Sequence, residues 1–138
     1  MGPIVVVAVG WAAVAGTRSR RWAPRALAAT FVGAGAMHFV ITSTYESIVP
    51  EYLPAHRELV LASGVAEIAG GLGALHPRTR RAAGWWLTAT LLAVFPANVE
   101  MALHPDRYQS IPQWALYARL PIQGLFIAWA LWATRPAR

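Results

Sequence analysis

The hydrophobic positions of the chain fall into five runs, separated by short connections rich in arginine and proline. The runs are Ile4 to Ala15, Ala26 to Thr44, Leu59 to Leu75, Ala82 to Leu103 and Trp114 to Ala133. A helix that spans a bilayer needs about 17 to 25 predominantly apolar residues, so the second, fourth and fifth runs qualify by length and the third does so marginally. The pattern predicts an all-α fold: an integral membrane helical bundle of about five transmembrane helices.

The first run is the shortest and allows two interpretations. It either spans a locally thinned bilayer or lies tilted and incomplete. A cleaved signal peptide is the alternative, because Ala13-Val14-Ala15 resembles a small-residue cleavage site, but the run lacks the positively charged start of such peptides. Arginines follow the run instead, as expected for a helix whose far end stays in the cytoplasm.

Composition agrees with a membrane protein. Of the 138 residues, 57% are hydrophobic and 13% are charged, which is too apolar for the surface of a soluble domain. The net charge of +6 comes from arginines placed between the runs and not in a stripe, which predicts orientation in a bilayer and no nucleic-acid partner. The chain has no cysteine, so thiol redox chemistry and iron–sulfur clusters are excluded. A redox role would therefore need a bound cofactor or a partner.

The arginines predict the orientation of the bundle. They concentrate in the first connection, the third connection and the C-terminal tail: Arg18, Arg20, Arg21, Arg25, Arg78, Arg80, Arg81, Arg135 and Arg138. Because positive residues are retained on the cytoplasmic side, we expect the N-terminus outside and the C-terminus in the cytoplasm, in a multi-pass protein of the inner (plasma) membrane. The lipid bilayer is thus the first expected partner, and a homo-oligomer is compatible with the pattern.

Several polar residues lie inside the hydrophobic runs. An ionisable group at membrane depth costs roughly 2.5 to 3.5 kcal/mol, so each one needs a partner, a cavity or a function. When the polar residues are projected along their helices, six of them lie in the outer half of the bundle or near its middle. We therefore predict a polar, ligand-binding pocket that opens toward the outer face and is built from His38, Glu67, Asn98, Glu100, Arg119 and Gln123.

A structural interpretation competes with the pocket. Glu67 and Arg119 would then neutralise each other as a buried ion pair that fixes helix register, with Asn98 and Gln123 completing the hydrogen bonds. We expect no metal site, because Glu-x-x-His and His-x-x-x-His pairs are absent and a nearby arginine would oppose a cation. No residue is assigned a catalytic role.

Four segments carry a resemblance to a known family. They are Phe31 to Phe39 with the following Ile48-Val49-Pro50 and Leu53-Pro54, then Ser63 to Gly71, Phe95 to Ala102, and Arg119 to Gln123. In this order they resemble the DoxX-like membrane proteins. The resemblance implies one transmembrane domain, with a four-helix core over residues 26–138, and residues 1–25 as an extra helix and an arginine-rich cytoplasmic loop. It also implies a site at His38, Glu67, Asn98, Arg119 and Gln123.

The family is similar in name and fold to the membrane subunit associated with thiosulfate:quinone oxidoreduction. The resemblance and the polar pocket together predict a redox-associated membrane subunit, with a soluble or membrane redox partner, that binds a quinone or a similar small amphipathic molecule. Arg119, Gln123 and His38 would hydrogen-bond its carbonyl oxygens, and Glu67 would orient Arg119 or relay a proton. The alternatives are a noncatalytic small-solute binding or transport component, and a scaffold that anchors a soluble enzyme through the arginine-rich loops.

Overall fold

The computed structural model describes residues 20–109 and 111–136, so the predicted first helix, Ile4 to Ala15, lies outside the described residues. The described residues form five α-helices and one 3-10 helix. The elements are α1 Ala23–Val40, α2 Thr42–Glu46, α3 His56–Leu75, α4 Arg80–Leu103, the 3-10 helix Pro105–Tyr108, and α5 Gln113–Ala133.

The second hydrophobic run does not form one helix. Pro24 lies in the first turn of α1, where its missing N–H costs nothing, and the helix ends before Ile41, whose backbone is not helical. The Thr42 hydroxyl donates to the carbonyl oxygen of His38 at 2.7 Å, which satisfies one of the acceptors left free at this helix end. The single helix expected through Thr44 is therefore split into α1 and the short α2.

The long helices of the described residues pack antiparallel in the order α1, α3, α4, α5. A Cβ atom placed on Gly35 of α1 would lie 2.6 Å from the carbonyl oxygen of Gly64 of α3, and Ala28 meets Gly71 further along the same pair. Because the numbers rise on one helix as they fall on the other, the two helices run in opposite directions. In the contacts between α3 and α4 and between α4 and α5, residue numbers also rise on one helix as they fall on the other, so these pairs are antiparallel too. Packing is most extensive between α1 and α3 and light between α1 and α5.

This topology gives the bundle two chemically different ends. The arginine-rich end collects the start of α1, the α3–α4 connection and the end of α5, with Arg20, Arg21, Arg25, Arg78, Arg80, Arg81 and Arg135. The acidic end collects the opposite helix ends and their connections, with Glu46, Glu51, Glu58, Glu100 and Asp106. The arginine distribution that predicts orientation thus coincides with one end of the folded bundle.

The hydrophobic core lies toward the arginine-rich end. Leu27 of α1, Leu87 of α4 and Ala130 of α5 have no exposed surface, and Ala74 of α3 is equally enclosed. The rings of Phe31 and Phe126 meet edge to face at 6.1 Å, which closes α1 onto α5 at this level. All four long helices therefore contribute side chains to one shared core.

The outward faces of the same helices are also apolar. Large hydrophobic side chains more than half exposed include Val40, Val65, Leu72, Trp85, Trp86, Leu92 and Leu125. Two helices of the described residues, α3 and α4, are long and apolar enough to cross a membrane, and only 33% and 28% of their apolar windows are buried in the bundle. The core helices of a soluble protein are mostly buried, so this degree of exposure is compatible with helices that face lipid.

Candidate functional site

His38 and Glu67 face each other across the α1–α3 contact. The His38 Nε2 atom lies 3.9 Å from Glu67 Oε1, and the two residues are only 7% and 8% exposed. Gly64 allows this approach, because a Cβ atom at that position would lie 2.8 Å from the Cβ atom of His38. The distance is too long for a direct hydrogen bond, so neither side chain satisfies the other in this way.

The protonation pattern of the His38 ring follows from its other contact. His38 Nδ1 lies 2.9 Å from the carbonyl oxygen of Ala34, one turn earlier in α1. A carbonyl oxygen only accepts hydrogen bonds, so Nδ1 carries the hydrogen. In the neutral ring Nε2 is then an acceptor that points toward Glu67. His38 can therefore accept a hydrogen bond from a ligand, whereas donating one from Nε2 requires a protonated ring.

Tyr45 of α2 completes this group. Its ring stacks on the ring of His38 with centroids 4.0 Å apart and planes 20° from parallel. Burial raises the pKa of the Tyr45 phenol, the negative charge of Glu67 raises it further, and the positive charge of Arg119 opposes both effects. Charges on α3 and α5 therefore act on the Tyr45 phenol, while its ring contact is with His38.

Arg119 of α5 has one hydrogen-bond contact within the described residues. Its Nη1 atom lies 3.5 Å from the sulfur of Met101, a weak acceptor with no exposed surface. The ion pair with Glu67 that the sequence suggests is not among the ion pairs formed by the described residues, because Glu67 faces His38 instead. A guanidinium has five N–H donors, so most of the donor capacity of Arg119 is unused by the described part of the chain.

Asn98 and Gln123 form a separate link between α4 and α5. The Asn98 Nδ2 atom donates to Gln123 Oε1 at 2.5 Å, and the Gln123 side-chain amide donates to the carbonyl oxygen of Leu91. Both polar ends of the buried Gln123 side chain are therefore occupied. The predicted role of Gln123 as a donor to a ligand has to rely on its second amide hydrogen.

Glu100 lies at the acidic end, in a different environment. Its Oε1 atom is 3.1 Å from His104 Nδ1 and 3.5 Å from Arg107 Nη1, and the same arginine atom is 3.5 Å from Glu51. Glu51, Glu100 and Arg107 border an open cleft of about 400 Å³ that Tyr108 also lines. Burial, followed by the charge of Glu100, raises the pKa of Tyr108, while Arg107 lowers it. No hydrogen bond or ion pair in the described residues joins Glu100 to the other five predicted site residues.

The six predicted residues thus do not form one cluster. His38 faces Glu67, Asn98 bonds to Gln123, Glu100 lies at the rim, and Arg119 contacts the sulfur of Met101. Tyr45 stacks on His38 but is not among the six residues predicted from the sequence. The sequence carries no clear signal for this contact, because residues seven apart in one continuous helix lie about 10.5 Å apart along its axis. Among the described residues, no group of three His, Asp or Glu side chains is arranged to hold a metal ion.

The arrangement defines an all-helical protein with an antiparallel bundle and a buried polar cluster between its helices. Residues 27–134 match the family described as Domain of unknown function (DUF8561). The match covers most of the chain, from α1 to the end of α5, so the protein belongs to this family. No curated protein and no solved structure matches the chain.

Proposed function

We propose that this protein is a multi-pass protein of the inner (plasma) membrane whose bundle binds the headgroup of a quinone or a similar small amphipathic molecule between α1, α3 and α5. The ligand site is His38, Glu67, Tyr45 and Arg119. The observation that carries the proposal is Arg119, a guanidinium within the bundle whose contact in the described residues is a methionine sulfur. A charged group at membrane depth requires a partner, and a ligand oxygen supplies one.

Membrane placement is supported by the outward faces of the helices. Leu92 on α4 and Leu125 on α5 are 57% and 66% exposed, on helices whose opposite faces form the bundle core. In water these surfaces would form extended apolar patches, which soluble monomers rarely expose. In a bilayer they meet lipid chains, and the tryptophans near the arginine-rich end lie where interfacial aromatics are expected.

The chemistry of the cluster suits a molecule that both accepts and donates hydrogen bonds. The guanidinium of Arg119 can donate only, while His38 Nε2 in the neutral ring and ionised Glu67 accept. A quinone carbonyl oxygen matches the arginine, and the hydroxyl group of the reduced quinol matches the histidine or the carboxylate. The Tyr45 phenol can serve either form, since it both donates and accepts.

The loose packing between α1 and α5 offers the ligand a route. These helices meet at Phe31 and Phe126, which lie nearer the arginine-rich end than His38 and Arg119 do. The two helices have few contacts elsewhere. A hydrophobic tail can leave between them while the headgroup stays at the polar cluster. The DoxX-like resemblance supports the same class of ligand, and electrons for its reduction would come from a redox partner, because the chain has no cysteine.

Ligand binding by the purified protein tests this proposal. We would titrate the detergent-solubilised chain with a short-chain benzoquinone and a short-chain naphthoquinone, using calorimetry, and compare Arg119→Leu with Arg107→Leu. Loss of a charge-assisted hydrogen bond predicts affinity weaker by about tenfold or more for Arg119→Leu. Arg107 lies at the exposed rim, so its variant should bind like the wild type.

The controls separate a lost contact from a lost fold. Circular dichroism and size-exclusion profiles must match among the variants before affinities are compared. Wild-type protein that binds neither quinone, or equal binding by Arg119→Leu, contradicts the quinone assignment. A small polar solute that co-purifies with wild type and is lost in Arg119→Leu would instead favour the noncatalytic solute-binding alternative.

A further inference from the structure

The arginine-rich end contains a second cleft, unrelated to the polar cluster. It has a volume of about 240 Å³ and is lined by Arg20, Arg80 and Arg135 together with Ala23, Trp132 and Ala133. The three arginines come from the segment before α1, the first residue of α4 and the segment after α5. Separate parts of the chain therefore bring three positive charges to one concave surface.

No acidic side chain of this protein balances these charges. All six Asp and Glu residues of the chain lie between residues 46 and 106, and none of them lines the cleft. The arginine ion pairs of the described residues use Arg57 and Arg107, both at the acidic end. Like charges held together without a counterion repel one another, so an anion in the cleft would be stabilised.

One of the three arginines is held in place by the backbone. Arg80 donates from Nε to the carbonyl oxygen of Ala74 at 2.9 Å and from Nη2 to that of Leu75 at 3.2 Å, at the end of α3. These bonds satisfy carbonyl groups that a helix end leaves free, and they leave other guanidinium N–H groups available. The cleft thus contains a pre-positioned donor, Arg80, together with the side chains of Arg20 and Arg135.

The surroundings identify the source of the anion. Trp132 lines the cleft, and Trp22 and Trp85 are 59% and 58% exposed at the same end of the bundle. Tryptophan and arginine together are typical of the headgroup level on the cytoplasmic side of a membrane. The cleft is smaller than the roughly 300 to 1,000 Å³ of pockets for drug-sized ligands, which suits one phosphate-bearing headgroup and not a whole lipid.

We propose that this cleft, lined by Arg20, Arg80, Arg135 and Trp132, binds the phosphate headgroup of an anionic phospholipid from the cytoplasmic leaflet. The inference rests on the membrane placement in the proposed function but not on quinone binding. The guanidinium groups contact the phosphate oxygens, Trp132 packs against the glycerol region, and the lipid chains lie along the apolar outer faces of the helices. Bound lipid would link the start of α1 to the end of α5.

Native mass spectrometry of the full chain in mild detergent tests this site with phosphatidylglycerol and phosphatidylcholine as probes. The double variant Arg20→Gln/Arg135→Gln is compared with Arg78→Gln/Arg81→Gln, which removes the same charge from the same end but from exposed residues outside the cleft. The cleft variant should bind phosphatidylglycerol about tenfold or more weakly than wild type, and the control should change by about twofold or less. Neither should change in its weak binding of phosphatidylcholine.

Each outcome has a defined meaning. Equal loss of phosphatidylglycerol in both double variants would overturn the site, because it would show diffuse attraction to the arginine-rich end. Competition by millimolar inorganic phosphate as effective as that by the lipid would overturn the lipid assignment and leave a free-phosphate site. Fractionation of cells is run in parallel: a chain that is not extracted with the membranes contradicts the proposed membrane placement, whereas the mass spectra test the cleft alone.

Discussion

The two halves of the bundle are built from the same four long helices and differ in what those helices bury. Toward the arginine-rich end the interior is mainly aliphatic and aromatic, and Leu27, Leu87 and Ala130 have no exposed surface. The buried threonines of this half donate to backbone carbonyl oxygens one turn earlier and need no partner on another helix. Toward the acidic end the same helices bury His38, Glu67 and Gln123. Apolar burial stabilises a bundle without requiring specific partners, whereas each buried polar group needs one.

The difference suggests a division of labour between the halves. Close-packed apolar side chains fix the helices relative to one another, so the polar half does not have to supply all of the stability. In that half, Asn98 and Gln123 satisfy each other, while Arg119 has a methionine sulfur as its contact within the described residues. Arg119 therefore leaves unused donor capacity in the part of the bundle that we assign to ligand binding, while in the apolar half the buried indole N–H of Trp129 has no partner among the described residues.

The largest effect is expected in the apolar half. Leu87→Ala should lower the free energy of unfolding by about 2 to 5 kcal/mol, because it removes a fully enclosed side chain and leaves a cavity. Unfolding in mixed micelles, followed by circular dichroism, measures the change. Leu92→Ala on the same helix is the matched control, since Leu92 is 57% exposed and should matter far less. An equal loss of unfolding free energy in the two variants would contradict a close-packed apolar half.

The next effect concerns the helix contact beside the polar cluster. Gly35→Ala should destabilise the fold by about 1 to 3 kcal/mol, because the new Cβ atom would press on the backbone of α3 at Gly64. Gly33→Ala, two residues earlier, meets nothing within 4 Å and should be neutral or slightly stabilising. The same unfolding assay compares them. A harmless Gly35→Ala would show that α1 and α3 are not closely packed at His38.

A smaller effect is expected from the Asn98–Gln123 link. Gln123→Leu leaves Asn98 and the carbonyl oxygen of Leu91 without this partner and should cost about 1 to 2 kcal/mol. Gln113→Leu on the same helix is the control, because Gln113 is exposed at the helix start. A double-mutant cycle with Asn98→Ala should give a coupling energy of about 0.5 to 1.7 kcal/mol. Strictly additive effects would argue against the direct bond.

The smallest effect is expected at the rim of the acidic end. Arg107→Gln removes contacts to Glu51 and Glu100, but the arginine side chain is 45% exposed, so the unfolding free energy should fall by about 1 kcal/mol or less. Raising the salt concentration should reduce the difference further, because exposed ion pairs are screened. If Arg107→Gln lowered the unfolding free energy as much as Leu87→Ala does, the rim would stabilise the fold as strongly as the apolar half, and the contrast between the halves would be wrong.

Several features of the fold could be predicted from the hydrophobic pattern. The structure has α3 ending at Leu75, α4 at Leu103 and α5 at Ala133, which are the predicted ends of three runs. The pattern works here because helix ends coincide with proline, arginine and polar residues that leave the apolar periodicity. The hydrophobic pattern did not predict the break at Ile41, because this residue is itself apolar and no proline or glycine marks the helix end. Two helices, α3 and α4, pass the test for a membrane span by length and hydropathy.

The candidate site was predictable in its residue types and less so in its contacts. Spacing along one helix assigns a side chain to a face but does not choose its partner on another helix. Glu67 lies opposite His38 and not in an ion pair with Arg119, because Gly64 lets α1 approach α3 closely at this level. Glu100 pairs with His104 and Arg107 at the rim, because these two residues follow it by only four and seven positions at the end of α4.

The amino-acid sequence by itself determined the helical class, most helix ends and the separation of arginines from acidic residues, because these depend on local composition and on the order of short segments. Only the tertiary structure decided which polar side chains meet. Tyr45 shows the reason: in a continuous helix a residue seven positions after His38 would rise about 10.5 Å along the axis. The helix instead breaks at Ile41, the two rings lie 4.0 Å apart, and the short α2 packs against α3, a contact that local sequence does not specify.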